Sequence, residues 1–502
     1  MQQRSFRTRG LVSLASLSLV VFGCSTNEKS PAEGTAGTAG VAGASGGTAG
    51  GGGSAGETGG TGGTGGGVHL PEGGGGGKGP KSEPCPEGTW SPSGFNSTEC
   101  MPFSVCPDGE SELIAPKATQ DRECAPLAWF DQFGSKEYES VSALAFDQAG
   151  NLWVAGTTSG ALDGDFGGDL FDVFVRKYSP SGEILWRTQY GLDCHARSLA
   201  VDPNGNVLVL SAITLAPDQT DPVLGGGGGS DSSLRKYSPS GDLLWERMLG
   251  ATGDDSYQMT LAGDRPVVYG SFEGKLFGTQ SKGSTDMAVI ALDASGEVLW
   301  NAVHATGGQD AVWDLAAAPD GSLVGIGAES FDCCSGVGRS IQWTLTPEGQ
   351  TAEYSTLFPS REFANQVEVD AQGSAFYHSF HFDTDGNRVS KGKPGGNELW
   401  RQTYPSDGTS LLRLTQDNHP VLLNSESGLE FMEWTTEGVS VPTRPVNSGG
   451  VVLEAFVVAP DGKVAVGGAI AGALSGHSYA GNHFDGFILV FDHIPRPLEA
   501  TE

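Results

Sequence analysis

The sequence predicts an all-β fold that is made of one repeated four-stranded unit. Three observations predict it: hairpin turns that recur from residue 126 onward, a tryptophan at a fixed place in the repeat, and a last unit that is one strand short. No amphipathic helix pattern interrupts the series. Residues 1–125 lack the repeat and have a different composition.

The first recurring element is a hairpin whose tight turn ends on glycine. Glycine supplies the positive φ that such a turn needs. In the third and sixth repeats the turn is degenerate, at residues 262–266 and 416–420. The clear copies lie at residues 144–155, 199–209, 315–324, 367–376 and 457–466.

The second recurring element is a hairpin that leads into Leu-Trp. It is clear at residues 177–186, 236–245 and 291–300, and residues 396–400 are a worn copy. Two hairpins give four short strands per repeat, and a period of about 45–59 residues is typical of a β-propeller. The units counted in this way are 135–186, 187–245, 246–300, 301–353, 354–400, 401–448 and 449–493.

The seventh unit ends after its third strand, and residues 127–133 supply the missing one. Trp129 stands where Trp186 stands in the first unit. A strand from the start of the domain that completes the last blade would close the ring and remove open sheet edges. We therefore predict a seven-bladed β-propeller over residues 126–497, closed by its own N-terminal strand.

The repeats resemble the bacterial seven-bladed β-propeller repeat family. Residues 166–168 and 172–186 carry the match, and residues 286–293 repeat part of it. Residues 292–300 are also similar to the tryptophan-docking repeats of quinoprotein dehydrogenases and outer-membrane assembly lipoproteins, which are shorter between turns. Both resemblances imply a propeller, and the first covers residues 126–493.

Tryptophan recurs at one position of the repeat. One interpretation is an aromatic platform for carbohydrate. A residue that is present in repeat after repeat usually serves the repeat itself, so we expect these rings to pack between neighbouring blades. The tryptophans are Trp129, Trp186, Trp245, Trp300 and Trp400.

The N-terminus has the pattern of an export signal. Arginines precede a short apolar run that ends at residue 23 and is too short to cross a bilayer as a helix. Val-Phe-Gly-Cys, ending at Cys24, resembles a bacterial lipobox, which implies removal of residues 1–23 and attachment of lipid such as palmitate to Cys24. Because Ser25 rather than aspartate follows, we expect the outer membrane or cell surface as the location.

Residues 24–82 are rich in Gly, Ala, Thr and Ser and contain hardly a large apolar side chain. Such a segment cannot bury enough surface to offset its chain entropy, so a disordered tether is predicted. At the other end of the chain, residues 498–502 are expected to form a short tail.

Four cysteines cluster between the tether and the repeats: Cys85, Cys100, Cys106 and Cys124. About 40 residues with few aliphatic side chains cannot form a core, so cross-links should hold the segment 83–125. Zinc modules usually contain close Cys-x2–4-Cys pairs, which this segment lacks, so disulfides are favoured over zinc. Four cysteines allow three pairings, and the sequence does not choose among them.

This segment resembles a cysteine-rich module of the tumour necrosis factor receptor type. Cys-Pro-Glu-Gly at Cys85, Cys-Pro-Asp-Gly at Cys106 and Asp-Arg-Glu-Cys ending at Cys124 carry the resemblance. It implies a small, elongated disulfide module. A full receptor repeat has six cysteines, so receptor-like ligand binding does not carry over.

Carboxylates in the loop at residues 163–169 are weak candidates for a metal site. Asp163, Asp165 and Asp169 offer hard oxygen ligands that suit Ca²⁺. The spacing lacks the full EF-hand pattern, so solvated loop carboxylates explain them better. No other cofactor is expected.

Two further groups of residues leave alternatives open. His378, His381, Asp383 and Asp385 could ligate a metal or act as acid and base, and a polar surface loop explains them equally well. Cys194, Cys333 and Cys334 allow a vicinal disulfide, a bridge to Cys194 and an unpaired thiol.

The sequence points to binding rather than catalysis. It contains no Gly-x-Ser-x-Gly elbow and no His-Glu-x-x-His, and its net charge of −31 disfavours nucleic acid. The expected function is a non-catalytic binding or scaffolding module whose loops contact an unknown protein or glycan at the cell surface. The alternative is a propeller enzyme of the polysaccharide lyase or quinoprotein kind, which would need His, Arg and acidic side chains around the channel, or a cofactor pocket.

Overall fold

The computed structural model describes most of the chain from residue 83 onward. The predicted signal peptide, Cys24, the tether and the predicted tail lie outside the described residues. In the described part the regular structure is β throughout, and none of it is a helix long and apolar enough to span a membrane. The described ranges are 83–95, 99–164, 170–191, 193–213, 230–332, 337–358, 361–381, 386–395, 397–405, 408–426, 428–480 and 483–497.

The strands are numbered in chain order. They are β1 (Thr89–Trp90), β2 (Met101–Pro102), β3 (Ser111–Ile114), β4 (Glu123–Ala125), β5 (Leu127–Phe133), β6 (Glu139–Phe146), β7 (Leu152–Thr158), β8 (Asp172–Tyr178), β9 (Ile184–Tyr190), β10 (Cys194–Val201), β11 (Val207–Ile213), β12 (Asp231–Tyr237), β13 (Leu243–Leu249), β14 (Asp255–Ala262), β15 (Arg265–Phe272), β16 (Lys275–Leu276), β17 (Thr279–Gln280), β18 (Asp286–Leu292), β19 (Val298–His304), β20 (Ala311–Ala317), β21 (Leu323–Asp332), β22 (Val337–Leu345), β23 (Thr351–Thr356), β24 (Glu362–Val369), β25 (Ala375–His381), β26 (Asn387–Gly392), β27 (Glu398–Tyr404), β28 (Ser410–Leu414), β29 (Pro420–Asn424), β30 (Glu430–Trp434), β31 (Ser440–Val441), β32 (Val451–Val458), β33 (Val464–Ile470) and β34 (Asp485–Phe491).

Seven four-stranded antiparallel sheets form the blades of a propeller. In chain order the blades are β6–β9, β10–β13, β14-β15-β18-β19, β20–β23, β24–β27, β28–β31 and β32-β33-β34-β5. We call the strands of each blade A to D in that order. The A strands contact one another in a closed circle that returns from β32 to β6, so they line a central channel.

Strand β5 completes the seventh blade. It pairs antiparallel with β34, with Trp129 opposite Val490 and Phe133 opposite Gly486. The predicted closure by residues 127–133 is therefore confirmed, and so is the predicted all-β fold with seven blades. Blade 3 adds a small hairpin, β16–β17, between its B and C strands.

The core lies between the blades, because each sheet is covered on both faces by its neighbours. Strands B and C are accordingly buried along their length, as in β11 and β34, whereas the outer strand β9 is half-buried or exposed. This covering explains why B and C strands such as β11, β33 and β34 are largely apolar, and why a polar–apolar alternation is weak in them.

The repeated tryptophans lie on the D strands and pack against the next blade, which is the role that the repeat pattern favours. Trp129 of β5 covers Gly182 in the C–D turn of blade 1, and Trp186 covers Gly241 in blade 2. Trp245 donates its indole N–H to the carbonyl oxygen of Ala294 at 3.0 Å. These contacts fix the angle between successive blades.

The cysteine-rich segment contains two disulfides, Cys85–Cys100 and Cys106–Cys124. This is one of the three pairings that the sequence allowed. The pairing divides the segment into two successive loops, the second of which contains β3 and ends in β4.

The second loop packs on the side of blades 6 and 7. Leu113 of β3 is fully buried in one apolar cluster with Phe431 and Phe487. Arg444 forms an ion pair with Glu110 at 2.6 Å, and the Ser475 hydroxyl donates to Glu112 at 2.5 Å. The cysteine-rich segment and the propeller therefore share one core.

Candidate functional site

Asp163 is the one member of the predicted carboxylate loop that the structure describes. Its Oδ2 accepts a hydrogen bond from Arg176 Nε at 2.5 Å, and its Oδ1 accepts from Arg176 Nη2 at 3.0 Å and Arg187 Nη1 at 3.3 Å. Both oxygens of this buried carboxylate are thus occupied by guanidinium groups. Asp165 and Asp169 lie outside the described residues, so Ca²⁺ binding stays a prediction.

His378 lies inside blade 5 rather than in a surface loop. Its Nε2 is 2.7 Å from the hydroxyl of Tyr404, and burial lowers the pKa of His378 to about 3. The imidazole is therefore neutral and holds β25 to β27. His381 ends β25, and Asp383 and Asp385 lie outside the described residues.

Cys194 is a buried thiol at the start of β10. Cys333 and Cys334 lie outside the described residues, and the alternatives for these three cysteines stay open.

A β-bulge interrupts the A strand at the same place in five blades. A bulge leaves one residue unpaired and re-aims its side chain, and bulges are frequent beside binding and active sites. We call these residues the channel ring: Ser142, Arg197, Trp313, Asn365 and Glu454.

Each residue of the channel ring is accessible, whereas the residue before it is buried. The preceding residues are all apolar: Val141, Ala196, Val312, Ala364 and Leu453. Because the A strands line the channel, the accessible side chains between these buried positions face its interior. The bulge therefore presents one side chain per blade to the channel.

The side chains of the channel ring differ in chemistry from blade to blade. They are a hydroxyl, a guanidinium, an indole, an amide and a carboxyl group, whereas the preceding positions are all apolar. A position that served only the repeat would carry one residue type in most blades, as the docking position carries tryptophan in five of the seven blades. This contrast marks the channel ring as the candidate functional site.

An aromatic cluster from blades 7, 1 and 2 lies on the face where the D–A and B–C loops meet. The ring of Tyr138 lies 6.4 Å from that of Phe171 and 6.2 Å from that of Phe484. Phe171 in turn lies 4.4 Å from His195 of β10. These side chains surround one side of the channel mouth.

A second aromatic cluster lies across the channel mouth, on blades 4 and 5. Trp313 of the channel ring is 5.5 Å from Phe331, 5.3 Å from Phe363 and 6.0 Å from Phe380, between ring centroids. Trp313, Phe331 and Phe380 are half-buried and keep part of their surface accessible. Apolar ring faces thus border the channel on two sides.

Titratable side chains of the first cluster and the channel ring have shifted pKa values. Burial raises the pKa of Glu454 to about 7, and Ser142 Oγ donates a hydrogen bond to it at 3.5 Å. Burial and the neighbouring Glu454 raise the pKa of Tyr138 to about 12. Burial and the charge of Arg197 lower the pKa of His195. At neutral pH, Tyr138 and His195 are uncharged, and Glu454 holds its proton to a higher pH than an ordinary glutamate does.

Deeper in the channel, charged side chains join the blades to one another. Asp314 accepts hydrogen bonds from the Tyr269 hydroxyl at 2.8 Å and from the backbone N–H of Val367 at 2.9 Å. Arg413 donates to Glu368 at 3.3 Å. These groups have partners in the neighbouring blade, so they stabilise the ring of A strands.

Sequence reasoning missed the channel ring, because a bulge depends on the register between two strands. One local signal does exist. A polar or bulky residue follows an apolar one at equivalent places in the repeats, as in Ala196-Arg197 and Leu453-Glu454.

Comparison with known proteins finds limited similarity. No family model matches the chain. The regulatory protein FlaEY of Caulobacter vibrioides is 30% identical over 213 residues, which are 38% of this chain. The match spans 22% of the length of that relative.

Solved propeller structures resemble the chain at low identity. The Dos1 propeller is 12% identical with a TM-score of 0.40, covering 72% of this chain and 82% of that one. BamB from Moraxella catarrhalis is 11% identical with a TM-score of 0.36, covering 72% and 100%. Puromycin hydrolase is 13% identical with a TM-score of 0.42, covering 69% and 53%. At these scores the similarities bear on neither activity nor partner.

Proposed function

We propose that this protein is a non-catalytic glycan-binding lipoprotein of the bacterial cell envelope, and that the glycan binds at the channel mouth. The observation that carries the proposal is the channel ring, in which each bulge presents a different polar or aromatic group. Concave sites lined by apolar rings and a few hydrogen-bonding groups are typical of ligand binding. Sugars offer both hydroxyls for such groups and apolar faces for aromatic rings.

A glycan fits this site better than a folded protein does. The channel ring lies within a circle of A strands, so a partner has to enter a recess rather than cover a flat surface. A chain of sugar residues is narrower than a folded domain and therefore suits a recess better, and we expect its hydroxyls to contact Ser142 and Asn365. The flanking rings of Phe171 and Trp313 would then contact its apolar faces.

A panel of purified neutral and acidic polysaccharides tests the proposal. We expect at least one member to raise the Tm of the full mature chain produced without lipid, because a ligand that binds only the folded state stabilises it. The variant Trp313→Ala with Asn365→Ala should lose this rise. Leu399→Ser, on an exposed outer strand, is the control and should keep it. The proposal fails when no polysaccharide shifts the wild type, or when the channel variant responds as the wild type does.

The envelope location rests on the lipobox resemblance at Cys24. Cys24→Ala should release the protein from the membrane fraction and abolish labelling by a palmitate analogue. Retention of the label in this variant would refute the anchor.

An enzyme is the second candidate, because titratable groups converge on one side of the channel mouth. Tyr138, His195 and Arg197 lie on adjacent loops and strands, and a neutral imidazole can accept a proton. A polysaccharide lyase would generate unsaturated sugar products that absorb ultraviolet light. Such products, formed by the wild type and lost in His195→Gln, would favour the enzyme over the binding module.

A further inference from the structure

Among the described residues, no carboxylate lies close enough to Arg197 to raise its pKa. Burial alone lowers the pKa of its guanidinium, whereas an adjacent carboxylate would raise it. The side chain is accessible to water within the channel. A guanidinium that is accessible in the channel and has no carboxylate partner among the described residues is placed to bind an anionic group of a ligand.

Most other described arginines pair with a carboxylate. Arg235 binds Glu246 at 2.9 Å and Arg247 binds Glu297 at 2.9 Å. In the described part of the chain, Arg197 takes part in no such ion pair. With 60 acidic against 29 basic Lys and Arg residues in the whole chain, a guanidinium left without a carboxylate is the exception.

The surroundings of Arg197 suit a ligand group with a single negative charge. His195, two residues earlier on β10, has a lowered pKa and stays neutral, so it adds no second cation. A phosphate dianion is usually held by several cations or by a nest of backbone N–H groups. A carboxylate is balanced by one guanidinium, whose two parallel N–H groups match its two oxygens.

We propose that Arg197 binds the carboxylate of an acidic sugar, so that the glycan held at the channel mouth contains uronic acid and places one such carboxylate on Arg197. The inference rests on the proposed function and specifies its ligand class. Aromatic rings at Phe171 and Tyr138 are placed to contact the apolar face of the sugar whose carboxylate lies on Arg197. The neutral groups of Ser142 and Asn365 remain for the hydroxyls of neighbouring sugars.

The test is calorimetric titration of the full mature, unlipidated chain with oligogalacturonate and with its methyl ester of the same length. The ester masks the carboxylate and keeps the rest of the sugar. We expect the wild type to bind the acid about tenfold more tightly than the ester, as charge-assisted hydrogen bonds imply. Arg197→Gln should bind both equally, and Arg197→Lys should keep part of the preference, since it retains the charge without the planar fork.

Arg247→Gln is the matched control, because Arg247 lies on the outer strand β13 and faces away from the channel. It should keep the full preference for the acid, and unchanged circular dichroism should show that each variant folds. Equal affinity of the wild type for acid and ester, or a preference that survives in Arg197→Gln, overturns the assignment of Arg197.

The outcomes separate this inference from the proposed function. When acid and ester bind equally and the channel variant Trp313→Ala with Asn365→Ala loses both, the glycan site stands and the acidic ligand is wrong. When an aspartate-rich peptide or inorganic phosphate binds through Arg197 and oligogalacturonate does not, the uronate class is wrong. When neither form of the sugar binds and no member of the polysaccharide panel raises the Tm of the wild type, both proposals fail.

Discussion

Trp300 donates its indole N–H to the carbonyl oxygen of Pro347 at 3.0 Å, across the boundary between blades 3 and 4. The same ring covers Gly349, the last residue of that C–D turn, which has a φ of +81°. Trp400 repeats the arrangement between blades 5 and 6, donating to Thr436 at 2.9 Å and covering Gly438. Glycine is thus needed in this turn for two reasons. It adopts the positive φ without strain, and its missing side chain leaves room for the indole ring of the preceding blade.

Gly349→Ala should destabilise the propeller more than the same change at Gly321. Both glycines have nearly the same φ, +81° and +82°, so the backbone cost of about 1–2 kcal/mol is shared. At Gly321 a Cβ would make an ordinary contact 3.5 Å from Pro347, whereas at Gly349 it would overlap the indole of Trp300. We expect an extra loss of about 1–3 kcal/mol for Gly349→Ala. Urea unfolding of both variants measures the difference, and equal losses would contradict the docking role.

Glu353 takes the tryptophan position in blade 4, where it faces Gly395 of the next blade. A cavity of about 160 Å³ opens between blades 4 and 5 and is lined by Tyr377, Arg401 and other side chains. Glu353→Trp should restore the docking contact and raise the free energy of unfolding by about 1 kcal/mol or more. Glu353→Gln, which removes only the charge, is the control. A gain of the same size in the control would show that charge rather than packing limits this boundary.

The number of blades and their closure could be predicted from the sequence, because both follow from local patterns. Turn glycines and tryptophans at a fixed spacing mark each hairpin, and Trp129 identifies β5 as the displaced strand. Even the worn copy at Trp400 docks as the clear copies do. These features depend on residues that are close together in the sequence, so local sequence patterns were sufficient to predict them.

The channel ring and the docking of the cysteine-rich segment depend on long-range contacts. In the sequence, Arg197 looks like an ordinary polar residue of a strand that alternates polar and apolar residues. Only the register between β10 and β11 shows that Arg197 lies in a β-bulge. Leu113 stands in a segment with few aliphatic side chains, and its partners Phe431 and Phe487 are more than 300 residues away. No pattern of neighbouring residues in the sequence predicts either the bulge or the packing of Leu113.

The stability of the propeller should fall as the pH rises from about 4 to about 8. Burial, with neighbouring carboxylates, raises the pKa of Asp255 to about 8 and that of Asp231 to about 6. In the unfolded chain both carboxyls titrate near 3.9. Across this window the folded state therefore holds protons that the unfolded state has lost, and each further rise in pH favours unfolding until the folded pKa is passed.

Asp255→Asn isolates this effect, because an amide oxygen can still accept the backbone N–H of Ala251. The variant should gain stability over the wild type as the pH rises and should match it near pH 4. Asp293→Asn is the control with the opposite sign, since hydrogen bonds from Ser295 and the turn backbone lower the pKa of Asp293. Urea unfolding at several pH values measures both, and a difference for Asp255→Asn that does not change with pH would refute the raised pKa.

Leu113→Ala should lower the stability of the propeller itself, although Leu113 belongs to the cysteine-rich segment. The side chain is fully buried among residues of blades 6 and 7, and truncation of a buried leucine costs about 2–5 kcal/mol. Val105→Ala, at a side chain that is 86% exposed in the same segment, is the control and should cost little. Near-UV circular dichroism follows the tryptophans of the blades during unfolding. A propeller transition that is unaffected by Leu113→Ala would mean that the cysteine-rich segment and the propeller unfold independently. A propeller transition shifted to lower stability would show that the disulfide-linked segment is part of the propeller core.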